Sequence, residues 1–167
     1  MGYHEHKQLS PKIVRCAVIV VSGSRTAETD ESGKLITSLL EKNGHPVTSF
    51  SILKNDAEAL AGKVKYLLAE ENPDAIITSG GTGASRMDLT IETITPLLDK
   101  KLDGFGELFR HLTFQEIGTG SVLSRAMAGV SAGKIIICLP GSLEATRMAM
   151  EKIILPEIGH MVREASR

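Results

Sequence analysis

At 167 residues, 42% apolar and 23% charged, the chain has room for one domain with a sizeable core, and its composition is that of ordinary globular proteins. A formal net charge of −1, no Trp and 4% aromatic residues exclude a basic field for nucleic acid and a stacking platform for single strands. No apolar run reaches the roughly twenty residues a bilayer span requires, so neither nucleic acid nor membrane is an expected partner.

Residues 1–12 are polar and lack the apolar segment of a signal peptide, which predicts a cytoplasmic protein with a flexible N-terminal arm ahead of one domain over 13–167. His4 and His6 form a His-x-His pair, but two ligands on a terminal tail hold metal weakly, and a solvated tail is expected. Residues 13–21 read as a first strand, nearly continuously apolar as burial on both faces requires. Cys16 within it, and Cys138 later, read as buried reduced thiols. The polar loop Ser22-Gly23-Ser24-Arg25-Thr26 follows. Asp30 or Ser32 can cap a helix in which Leu35, Ile36, Leu39 and Leu40 recur at helical spacing until Asn43-Gly44.

Residues 47–53 alternate and read as a second strand, with Lys54-Asn55-Asp56 after it. Asp56 can cap a helix striped by Leu60, Val64, Leu67 and Leu68. A third strand over 73–77 runs into Thr78-Ser79-Gly80-Gly81-Thr82-Gly83, where three glycines and three hydroxyls fall within six residues. A helix is expected from Asp88, shortened or kinked by Pro96. Residues 103–107 read as a turn, 105–114 as a helix, and 128–133 as a hairpin or turn. A buried strand over 134–139 ends in Pro140-Gly141-Ser142, and a long helix with a kink or restart near Pro156 closes the chain. This rhythm predicts an α/β sandwich with a largely parallel sheet.

In such a sheet the strands' carboxyl ends share one edge, where ligands bind. The loops at 22–26, 54–56, 79–83 and 140–142 all fall there. Glycine-rich turns expose backbone N–H groups, and rows of these bind phosphates. The P-loop and Rossmann patterns are absent: Gly133-Lys134 precedes a strand, and Gly81-Thr82-Gly83 and Gly118-Thr119-Gly120 lack the third glycine. Asp56 and Asp88 are the carboxylates near this edge; each can hold Mg²⁺ beside phosphate, cap a helix, or do both. Arg86 and Arg125 can pair with phosphate or with a neighbouring acid. Glu107 can meet a polar heterocycle or a backbone N–H, and Lys54 reads as a solvated charge. No Cys or Ser nucleophile with a paired His is visible.

Taken together these motifs resemble the MoaB/Mog family of molybdenum-cofactor biosynthesis proteins. The resemblance runs from Val18 to Pro156 and rests on Thr78-Ser79-Gly80-Gly81-Thr82-Gly83 with Arg86-Met87-Asp88-Leu89-Thr90, on Gly104-Phe105-Gly106-Glu107 with Arg110, on Leu123-Ser124-Arg125, and on Leu139-Pro140-Gly141-Ser142. It implies a three-layer α/β/α sandwich with a mostly parallel sheet, assembled as a homotrimer or homohexamer that binds molybdopterin and, in active members, transfers AMP from Mg-ATP to the pterin's terminal phosphate, with hand-over to a metal-insertion protein as a further partner. It implies Asp88 as the essential aspartate, Asp56 as the second functional carboxylate, and both as Mg²⁺ ligands. Ser22, Ser24, Arg25, Ser79, Gly80, Gly81, Thr82, Gly83, Arg86, Thr90, Glu107, Ser124, Arg125, Pro140, Gly141 and Ser142 are the expected nucleotide and pterin contacts. Two departures, Ser22-Gly23-Ser24-Arg25 without an Asp and Leu143 in place of a second proline, lean toward the MoaB branch. A carrier that binds the pterin without transferring AMP is the alternative.

Overall fold

The strand over Cys16–Val21 (β1) is buried along its whole length, and its side chains alternate between two cores. Cys16 and Val18 join one cluster with Ile77, Ile135, Ile137 and Leu139; Ala17, Ile19 and Val21 join another with Ile76, Ile136 and Cys138. Two apolar faces on one sheet demand helices on both sides. The computed structural model describes residues 2–167, with the His6 side chain outside the described part, so the expectation for the His4/His6 pair cannot be followed beyond His4.

The sheet order is β2-β1-β3-β6-β5-β4, with β2 at Val47–Leu53, β3 at Ala75–Ser79, β4 at Lys100–Lys101, β5 at Met127–Ser131 and β6 at Lys134–Leu139. Strands β2, β1, β3 and β6 pair in parallel; β5 and β4 continue the sheet antiparallel. On one face lie α2 (Ser32–Lys42), α5 (Asp103–Ile117), α6 (Leu143–Ala149) and α7 (Leu155–Ala165); on the other lie α3 (Ala57–Tyr66) and α4 (Thr90–Ile94). The result is the expected three-layer α/β/α sandwich with a mostly parallel sheet. Each fully buried Ile or Leu in these clusters contributes about 1.5–3 kcal/mol of transfer free energy. Burial pushes the Cys16 and Cys138 thiols up to about 12, which leaves both inert at neutral pH. No helix among the described residues is long and apolar enough to cross a membrane.

Two local expectations change, and two, the hairpin and the restart near Pro156, hold. Residues 103–107 are the first turn of α5 and not a separate turn. A Cβ on Gly106 would stand 2.8 Å from the Ala126 carbonyl, so glycine there lets the helix approach the chain entering β5. The helix expected from Asp88 begins at Thr90, because the Asp88 carboxylate accepts the Ser85 N–H in a preceding turn (3.0 Å). The hairpin between β5 and β6 turns on Ala132 (φ 49°) and Gly133 (φ 73°), both left-handed, as a two-residue turn of this twist needs. Near Pro156 a π-helical stretch, Met150–Ile154, joins α6 to α7; Pro156 falls in the first turn of α7, where its missing N–H costs little.

The N-terminal arm is docked on the domain. Tyr3–Gln8 forms a short helix, α1, set against α7. The Tyr3 hydroxyl donates to Glu157 Oε1 (2.6 Å), and the Lys7 ammonium reaches the same oxygen (2.5 Å). Burial pushes the Glu157 carboxyl up, but the bonds from Lys7, Tyr3 and His160 together outweigh it and hold it below the usual carboxylate range. A carboxyl lowered in the folded state stabilises above its unfolded pKa and loses that contribution as pH falls through its folded value. Protection factors at residues 3–8, exchange rates corrected for the intrinsic rate at each pH, should therefore be highest at neutral pH and fall on acidification. E157Q should show fast exchange already at neutral pH.

Candidate anion-binding site at the carboxyl edge

The topological switch falls between β1 and β3, because the chain moves outward to β2 on one side and to β3 and β6 on the other. A cavity of about 510 Å³ opens there, within the usual size of small-molecule sites. Its wall comes from the loops after β1, β3 and β6, from Asn55 after β2, and from residues 123–125. Ser22, Ser24, Arg25, Gly80, Gly81, Thr82, Gly83, Asp88, Ser124, Arg125, Pro140, Gly141 and Ser142 all line it.

The glycine loop is held from behind. Gly80 (φ 102°) and Gly81 (φ 68°) take backbone conformations that favour glycine. A Cβ on Gly80 would lie 2.2 Å from the Val21 carbonyl oxygen. Thr90 is fully buried; its hydroxyl donates to the Gly80 carbonyl (2.8 Å) and its N–H to the Gly81 carbonyl (2.9 Å). Arg125 Nη1 donates to the Gly83 carbonyl (2.9 Å). The carbonyls of Gly80, Gly81 and Gly83 are thereby occupied. The N–H groups of Gly81, Thr82 and Gly83 have no acceptor among the described residues. A run of free amides whose carbonyls are tied elsewhere is a nest for an anion.

The other loops are braced in the same way. Ser22 Oγ accepts the N–H groups of Ser24 (3.3 Å) and Arg25 (3.2 Å) and so orders its own turn. Arg25 donates to Ser32 Oγ and to the Gly141 carbonyl, both at 2.7 Å, and stands 3.9 Å from the buried carboxylate of Asp30. The loops after β1 and β6 are thus locked to the start of α2. Arg125 also pairs with Glu92, whose carboxyl the guanidinium holds below its usual range.

Several expected contacts lie outside the cavity wall. Ser79 is buried beneath it and donates to Ser32 Oγ (3.0 Å), while Thr90 ties the loop as described. Arg86 is exposed at the tip of the 84–87 turn, and Glu107 is exposed on α5. Asp56 does not share the wall with Asp88: it is the N-cap of α3, accepting the Ala59 N–H at 2.8 Å. Its neighbour Asn55 lines the cavity instead, with a buried Oδ1 that has no partner among the described residues. Asn55 was legible from its place in a strand-end loop at the same edge, whereas Glu92 carried no sequence signal. As a cap, Asp56→Ala should cost about 1 kcal/mol in denaturant unfolding, while D56N, which keeps a capping oxygen, should be close to neutral.

Fold and cavity together define a doubly wound α/β domain with an amide-lined cavity at the carboxyl edge of its sheet. The chain belongs to the family described as "probable molybdopterin binding domain", whose model matches residues 17–160. Among its relatives, molybdenum cofactor biosynthesis protein B of Bacillus subtilis is 48% identical over 165 residues, covering 98% of this chain and 97% of the relative. The Bacillus cereus protein of the same name is 45% identical over 168 residues, covering 100% and 99%. A crystal structure of a molybdenum cofactor biosynthesis protein B matches with a TM-score of 0.89 at 46% identity, over 93% of this chain and 98% of that one. The tungsten cofactor synthesizing protein MoaB from Pyrococcus furiosus matches with a TM-score of 0.86 at 35% identity, over 95% and 100%.

Proposed function

We propose that this chain binds molybdopterin and ATP at the sheet-edge cavity and transfers AMP to the pterin's terminal phosphate. A phosphate oxygen of the pterin attacks the α-phosphorus of ATP, the bond to the bridging oxygen breaks, and pyrophosphate leaves with its electrons. Such in-line transfer asks little covalent chemistry of a protein and much positioning and charge neutralisation. The observation that carries the reading is the set of free amides at Gly81, Thr82 and Gly83 beside the Asp88 carboxylate in one cavity.

The donor set suits Mg²⁺, a hard cation bound by oxygens. Asp88 offers its Oδ1, since only Oδ2 is engaged, and Asn55 offers a buried Oδ1 without a described partner. These two residues would hold the ion, while Asp56 caps α3 outside the cavity wall. When bound, the ion neutralises phosphate charge. Every other role falls to the chain: the amides cradle phosphate oxygens, Arg25 and Arg125 fix the loops that present them, and Asp88 sets the polarity of the metal end. Exposed Phe114, Ile117, Val122 and Leu123, in α5 and the turn after it, support assembly as a homotrimer or homohexamer.

The pterin carrier is the second reading, favoured by the use of Asp56 as a helix cap, which leaves Asp88 as the carboxylate in the cavity wall. Incubation with molybdopterin and Mg-ATP separates the two. The enzyme releases pyrophosphate and forms adenylylated pterin, whereas the carrier binds pterin and releases none.

A further inference from the structure

Glu92 lies on α4, two residues after Thr90. From this short helix the glycine loop is held at three carbonyls: Thr90 takes those of Gly80 and Gly81 directly, and Glu92 fixes Arg125, which takes that of Gly83. A carbonyl left free in a phosphate nest would turn its negative end toward the anion and weaken binding. Gly83 also lies against Asp88, since a Cβ there would stand 2.6 Å from Asp88 Oδ2. The Gly83 carbonyl shares its peptide plane with the Ala84 N–H, so Arg125 fixes the exit of the glycine loop beside Asp88 and, through it, the turn that presents the nest.

We propose that Glu92 is a positioning residue for this site: it holds Arg125, and Arg125 holds the Gly83 carbonyl, so that the loop's amides stay presented to phosphate oxygens. The inference rests on the reading of the cavity as a polyphosphate site. The Glu92 side chain is 55% exposed and has no apolar packing duty, so its replacement leaves both cores intact.

The sign of the effect separates a brace from a bystander. A carboxylate that merely stood near the cavity would repel phosphate, and removing it would tighten anion binding. A brace predicts the opposite. The test is calorimetric titration of the full chain with inorganic pyrophosphate for wild type, Glu92→Ala and Glu92→Gln. The expected result is a dissociation constant raised about tenfold in E92A, the size of one charge-assisted hydrogen bond. E92Q keeps an acceptor at the same reach and is expected to fall between, weaker than wild type by about threefold. The Gly83 amide resonance should move in E92A and return most of the way in E92Q. Should E92A fail to fold, E92Q decides alone. Wild-type binding with E92A equal or tighter, or E92Q equal or tighter where it decides alone, overturns the brace and leaves the site reading standing. No pyrophosphate binding by wild type overturns both.

Discussion

Asp88→Asn is expected to lower AMP transfer at least about a hundredfold while leaving the fold and pterin binding in place. The substitution removes one negative charge from the cavity wall and little else. The asparagine side chain keeps an oxygen able to accept the Ser85 N–H, so the turn over residues 84–88 survives. The Gly80 and Gly81 carbonyls remain tied to Thr90. What goes is the charged oxygen that would meet a cation bound to the phosphates of ATP, and with it the differential stabilisation of charge in the transition state. Pyrophosphate release under saturating Mg-ATP measures the effect. A D88N variant with wild-type turnover would remove Asp88 from the mechanism.

Gly80→Ala carries the largest expected effect on stability, about 3 kcal/mol or more. Two penalties combine there. The backbone sits at φ 102°, where a side chain is strained, and the added methyl would meet the Val21 carbonyl oxygen at 2.2 Å. Val21 ends a strand enclosed between β2 and β3, so the obstructing atom cannot step aside. Gly83→Ala offers a contrast. Its nearest obstacle is the Asp88 carboxylate, the mobile end of a side chain, at 2.6 Å, and its φ is not left-handed. G83A should fold with a stability near wild type and lose anion affinity as Asp88 is displaced. Denaturant unfolding of the pair, read beside pyrophosphate binding, separates the two roles of the glycines.

The parts of the fold that depend on apolar periodicity were legible. Residues 47–53 alternate and form β2 over that span, and the unbroken apolar runs in β1, β3 and β6 marked strands buried on both faces. The glycine loop announced itself because three glycines and three hydroxyls at a strand end have few structural uses. Where glycine serves close approach inside an element, the same signal misleads. Gly104 and Gly106 read as a turn on intrinsic helix cost, yet they open a fifteen-residue helix whose neighbour is the Ala126 carbonyl. The α1 helix depends on bonds to Glu157, about 150 residues away, which no local pattern carries.

The site divides along the same line. Its wall was readable because parallel topology brings strand-end loops to one edge, so Ser22, Gly80–Gly83 and Pro140–Ser142 could be gathered without coordinates. Aspartates at loop ends were ambiguous by nature, since one residue type serves both capping and coordination; Asp56 became a cap and Asp88 a wall residue. Of the bracing layer, the sequence offered the pairing of Arg125 with an acid as one of two readings, but not which partners each arginine takes. The bonds from Arg125 to Gly83 and Glu92 span 42 and 33 residues, and the bond from Arg25 to Gly141 spans 116.

Amide chemical shifts during titration with Mg-ATP test the central claim most directly. The largest shifts should fall at Gly81, Thr82, Gly83 and Gly141, with smaller ones at Asn55 and Asp88. Shifts confined to other surfaces, with those amides unmoved at saturation, would contradict the assignment of the sheet edge as the phosphate site.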